Sequence, residues 1–127
     1  LLTGRVVVSS AGTSDEHAGE GMHTNSAAIL SARGLRSTHQ ARLFTPTMAA
    51  TLDLVLAADQ ANLRNGRAII RMADTQPEIR LLRDFDPTAT GRDLDDPWGY
   101  PPAEYERTAA EISAAIPGLL AELRDRL

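Results

Sequence analysis

Three short apolar runs, each separated from the next by a stretch with helix signals, constrain this chain more than any other feature. They are Arg5–Ser10 (RVVVSS), Asp53–Ala58 (DLVLAA) and Glu78–Leu82 (EIRLL). Short apolar runs rich in branched side chains read as buried strands, and turn residues bound the first of them at Ala11-Gly12-Thr13. Strands that alternate with helices pair in parallel, which predicts a layered α/β domain.

The intervening stretches carry their own start and stop signals. Asn25 is the expected cap of a helix over Ser26–Arg33, and Gly34 stands where a helix end favours a left-handed residue. Thr45 followed by Pro46 predicts a short helix to about Leu52, and Asp59 caps another to about Ala73. Asp84–Pro102 holds four Pro and five Asp and predicts a loop longer than a connector requires. Beyond it, Tyr105, Ala109, Ile112, Ile116, Leu119, Leu123 and Leu127 recur at steps of three and four, the stripe of a helix docked on a sheet. Pro117 should kink that helix or split it in two.

Composition excludes several classes. A chain of 127 residues, 43% hydrophobic, suits one domain with one core. No run of about 18 apolar residues is present, so no membrane partner is expected. The formal charge is −4 and the 13 basic residues, all Arg, are scattered, which argues against nucleic acid. Cys is absent, so there are no disulfides or thiolate metal sites, and a reducing, cytoplasmic setting fits. The first residue is Leu rather than Met, which suggests a trimmed or incompletely read chain.

Four segments, in order, resemble the low-molecular-weight protein tyrosine phosphatase family. They are Ser10–Thr13 (SAGT), His39–Thr45 (HQARLFT), Asp53–Leu63 (DLVLAADQANL) and Leu81–Tyr100 (LLRDFDPTATGRDLDDPWGY). The resemblance implies a three-layer, flavodoxin-like, doubly wound parallel sheet with strand order 2-1-3-4. It implies that residues 1–127 form one phosphatase domain lacking the first strand, the phosphate loop and most of the first helix. The missing first strand would lie between the Val6–Val8 strand and the Asp53–Leu56 strand. The implied activity is hydrolysis of phosphotyrosine in proteins, or of small aryl phosphates, through a phosphocysteine and without a cofactor. With no Cys in the sequence, this chain alone is expected to be inactive.

The same resemblance assigns roles. Asp96, before Pro97, takes the place of the general acid and base. Trp98 and Tyr100 stand where substrate-facing aromatics occur, although the family places two aromatics before the Gly and here Gly99 separates them. Ser10 and His39 correspond to groups that support the phosphate loop. Read from residues alone, other roles stay open. Asp93, Asp95 and Asp96 also suit a solvated acidic turn or a hard cation, and His39 equally suits a surface histidine capping a turn. His17 and His23 with Glu16 and Glu20 lack zinc-site spacing and read as exposed loop residues, so no metal site is expected. Asp59 and Asn62 read as a helix cap. Two further functions are compatible with the fold: arsenate reduction, whose thioredoxin-coupled form needs two additional cysteines, and a non-catalytic binding module.

Overall fold

Strand β1 (Leu54–Ala57) and strand β2 (Glu78–Leu81) pair in parallel, with Leu54 opposite Glu78 and Ala57 opposite Leu81. The computed structural model describes residues 4–14, 19–36, 38, 40–89, 91 and 93–127. Around the β-pair stand α1 (Thr24–Ala32), α2 (Pro46–Ala49), α3 (Gln60–Ile70) and α4 (Pro102–Arg126), with a 3₁₀ turn at Leu82–Phe85.

Local chemistry accounts for the helix ends. Asp59 Oδ1 accepts from the Asn62 N–H at 2.7 Å and opens α3, the cap expected from its sequence. Thr45 Oγ1 accepts from the Met48 N–H at 3.2 Å with Pro46 in the first helical turn. At the end of α1, Gly34 has φ +72°, the Leu35 N–H reaches Leu30 O at 2.8 Å, and the Gly34 N–H reaches Ser31 O at 3.1 Å. This is the paired 6→1 and 5→2 closure of a helix that ends on glycine. The start of α1 differs from expectation. His23, not Asn25, is the cap, its Nδ1 accepting from the Asn25 N–H at 3.1 Å. An imidazole Nδ1 reaches the same backbone donor that a capping amide or carboxylate oxygen would.

The core has two adjoining parts. Phe44, Ala49, Ile70 and Ala73 pack with Met48, Leu52, Val55 and Ile79. Ala57, Leu63 and Leu81 form the second part, and Ile79 touches both.

Two expectations about regular structure are corrected. Residues 6–10 form no strand; the run's only ladder contact among the described residues comes just beyond it, a parallel bridge between Gly12 and Leu43. Val7 and Val8 are 95% and 85% exposed. Strand preference in Val is largely packing on a neighbour, and the described residues place no neighbour there. The second correction concerns Pro117. It lies inside an unbroken 25-residue helix, α4. Proline removes one backbone donor, but α4 is held along its length by tertiary packing, with Ala115 fully buried next to that site. Gly118 follows, and a Cβ there would collide with the Phe85 carbonyl oxygen. The missing side chain lets α4 lie directly against the 3₁₀ turn.

The stripe on α4 faces the fold in part, with Ala109, Leu119 and Leu123 half-buried. Tyr105 and Ala115 are buried, whereas Ile112 and Ile116 remain 37% and 38% exposed. Arg33 ties α1 to α4 through Ser113 Oγ at 3.2 Å and Glu106 at 3.7 Å. At the far end, Arg126 donates to Glu78 Oε1 at 2.7 Å and joins the last turn of α4 to the start of β2.

Candidate active site

The carboxyl end of β1 is where the chemistry-bearing segments meet. In open parallel sheets this end is the usual location for ligands. Two backbone-directed bonds hold the acidic loop there. The Leu94 N–H donates to Ala58 O at 2.8 Å, and the Gln60 N–H at the start of α3 donates to Asp93 Oδ1 at 3.0 Å. Leu94 is 8% exposed and plugs the loop into the fold. Arg83 fastens the loop from the other side, donating to Asp93 O at 3.0 Å while pairing with Glu111 of α4 at 2.9 Å. The end of the first apolar run arrives at the same place, since Asn62 Nδ2 donates to Thr13 Oγ1 at 3.2 Å.

The three neighbouring aspartates take three different positions. Asp93 anchors the start of α3. Asp95 faces Arg107 of α4 at 3.7 Å, and Asp96 Oδ1 accepts from the Trp98 N–H at 3.0 Å. Asp95 and Asp96 are exposed. Among the described residues no three His, Asp or Glu side chains converge on a point that could hold a metal ion.

Gly99 explains what becomes of the two aromatics. Its φ is +83° and the Tyr100 N–H donates to Pro97 O at 2.9 Å, a tight turn with glycine in the left-handed position. The turn separates its aromatic residues. Trp98 lines a groove of about 760 Å³ between α1 and α4, together with Ser10, Met22, His23, Leu30 and Ile112. Tyr100 lines a smaller cavity of about 420 Å³ with Asp95, Asp96, Glu104 and Arg107. Pro97 and Thr108 border both. The structure thus brings Ser10 and Trp98 to one groove and Asp96 and Tyr100 to the space beside it. His39, like His17, lies outside the described residues.

Sequence reasoning missed two members of the groove. Tyr105 is 4% exposed, and its hydroxyl has no hydrogen-bond partner among the described residues. His23 stacks on the Tyr105 ring at 4.9 Å between centroids and 23° between planes, and meets Trp98 in a T-shaped contact at 6.4 Å. Tyr105 was legible only as a position on the α4 stripe. His23 had no local signal, because its partners Trp98 and Tyr105 lie 75 and 82 positions further along the chain.

The parallel pair with its flanking helices defines an α/β domain, and comparison with known proteins makes the assignment specific. The family model described as low molecular weight phosphotyrosine protein phosphatase matches residues 2–127. A low molecular weight protein-tyrosine-phosphatase of Streptomyces coelicolor is 38% identical over 127 residues, covering 96% of this chain and 76% of that protein. Low molecular weight protein-tyrosine phosphatase A of Mycobacterium bovis is 33% identical over 126 residues, covering 96% and 74%. Among solved structures, Bacillus subtilis YfkJ superposes with a TM-score of 0.86 at 24% identity, over 98% of this chain and 77% of that one. A Drosophila arginine phosphatase superposes at 0.84 with 17% identity, over 96% and 82%. The chain belongs to the low-molecular-weight phosphotyrosine phosphatase family, and its parallel sheet is that of the family's flavodoxin-like α/β fold.

Proposed function

We propose that this protein hydrolyses phosphotyrosine or related aryl phosphates, with Asp96 as general acid and base and a cysteine outside residues 1–127 as nucleophile. The observation that carries this reading is the docking of the Asp93–Tyr100 loop over the carboxyl end of β1. A thiolate arriving there would attack phosphorus as the P–O bond to the aryl group breaks, and Asp96 would deliver its proton to the departing phenolate oxygen. Asp96, now ionised, would take a proton from water as that water attacks phosphorus and the S–P bond breaks. Tyr100, in the space shared with Asp96, would contact the aryl ring, Trp98 would meet the substrate from the adjoining groove across Pro97, and Ser10, with His39, would stand behind the phosphate loop.

The uncovered strand edge supports the same reading. β1 is laddered on one side only among the described residues. The Ser10–Thr13 end lies beside the carboxyl end of β1 through Asn62, while Val7 and Val8 are exposed. A strand between the two would pair with β1 and cover the valines. Its carboxyl end would place the following loop at Ser10, Thr13 and the acidic loop. In this reading residues 1–127 are one phosphatase domain without its first strand, phosphate loop and most of its first helix. The protein would work in the cytoplasm, where thiols stay reduced.

The test is turnover by two forms, residues 1–127 alone and the product of the whole natural reading frame. The whole product should hydrolyse phosphotyrosine and trap a phosphocysteine, and residues 1–127 should not. Turnover by residues 1–127 alone would refute the assignment of the nucleophile, and a whole product without a cysteine would refute the mechanism.

A further inference from the structure

We infer that His23 is a positioning residue for the aromatic side of the site, a single imidazole that caps α1 and braces Trp98 against α4. The inference rests on the reading of Trp98 as substrate-facing and adds a residue that neither the acid nor the phosphate loop requires.

The geometry has two independent halves. Through Nδ1, His23 accepts from the Asn25 N–H at 3.1 Å, so the ring plane is set by the first turn of α1. Through its face, the same ring stacks on Tyr105 at 4.9 Å, and Tyr105 is locked in the first turns of α4 at 4% exposure. The imidazole is therefore held from two elements that α1 and α4 fix separately. Trp98, 61% exposed on its turn, meets this held ring in a T-shaped contact at 6.4 Å and 73°. Edge-to-face contacts at this separation are attractive and directional. A half-exposed indole gains an orientation from such a contact that its own short turn does not supply. His23 therefore transmits the α1–α4 arrangement to the wall of the groove, while touching none of the reacting atoms.

Two substitutions separate the halves. His23→Asn keeps an acceptor for the Asn25 N–H and removes the ring, whereas His23→Phe keeps a ring and removes the acceptor. The chain contains one Trp, so selectively excited indole emission and its acrylamide quenching report this site alone, while the near-ultraviolet circular dichroism adds the two Tyr and two Phe rings. In residues 1–127, His23→Asn should raise Trp98 quenching toward the urea-unfolded value and flatten the near-ultraviolet signal, with Asn25 amide exchange unchanged. His23→Phe should do the reverse, leaving Trp98 nearly as in the parent and speeding Asn25 exchange about fivefold. In the whole product, His23→Asn should raise KM for aryl phosphates about two- to tenfold, with kcat held. Equal Trp98 responses in the two variants, or a parent Trp98 already as quenchable as in urea, would overturn the inference. A loosened Trp98 with unchanged KM would uphold the positioning and instead defeat the substrate-facing role of Trp98.

Discussion

Val55 and Val7 sit in runs of similar chemistry and end in opposite environments. Val55 lies in β1, laddered to Ile79 and packed against the core around Phe44 and Ile70. Val7 is 95% exposed in a run with no ladder of its own. The difference lies in the partner. β1 finds β2 within about 25 residues of chain, brought alongside by α3, whose Leu63 and Ile70 pack onto the pair. Among the described residues, the run at 6–10 meets its neighbours at its carboxyl end, where the Arg42 side chain donates to Ser10 O at 2.9 Å and Gly12 bridges to Leu43. Residues 44–85 are thus a set of elements that satisfy one another, and the run at 6–10 is held mainly at its carboxyl end. A strand is a relation between two segments, so one run cannot form it alone.

The comparison can be tested from the functional end first. In the whole reading-frame product, Asp96→Asn should lower kcat on phosphotyrosine by ~10²–10⁴-fold. The loss should shrink on nitrophenyl phosphate, whose leaving group needs little protonation. Asp93→Asn should act mainly on stability, because Asp93 holds the start of α3, and Asp95→Asn should do little. Equal kcat losses at the three positions would dissolve the distinction that the structure draws among them.

Within residues 44–85, Leu81→Ala should destabilise by about 3 kcal/mol, measured by urea unfolding, because Leu81 is 3% exposed at the junction of β2 and α3. A loss under about 1 kcal/mol would mean that this half is not the ordered one.

Gly118→Ala should cost about 2 kcal/mol, even though alanine favours helix. The new Cβ meets a backbone carbonyl, at Phe85, which cannot rotate away. A stabilised variant would show that α4 stands further from the 3₁₀ turn.

The smallest effect is the most diagnostic. Val7→Ser should change the stability of residues 1–127 by less than about 0.5 kcal/mol, as for an exposed site. In the whole product the same change should cost about 1–3 kcal/mol, because the side chain is then covered. Equal effects in the two forms would remove the proposed strand from its place beside β1.

Much of the fold was legible because it is encoded over short distances. Asp59, Thr45 with Pro46, and Gly34 each act on a backbone group within about four residues, so their roles follow from local sequence. The family resemblance was legible for the same reason, since its four segments are contiguous motifs. Other features needed contacts between distant residues. The cap of α1 passed to His23 because the imidazole is also held by Tyr105, 82 positions on, a pairing that no local pattern announces. Ile112 and Ile116 belong to a correct helical stripe, yet which neighbour each side chain meets depends on how α4 rotates against Phe85 and α1.

Sequence by itself determined the four helices, two of the three expected strands, most of the helix caps, the α/β class, and the presence of an acidic and aromatic loop ahead of the last helix. Tertiary structure decided how that loop is used. It set Asp93 on α3 and Asp95 toward Arg107, and it left Asp96 in its own turn beside the groove. It also sent Trp98 and Tyr100 to different cavities through the left-handed φ of Gly99. The physical reason is range. Capping and helix or strand preference act over a few residues, whereas the division of labour among three adjacent carboxylates depends on which distant donors the fold carries to them.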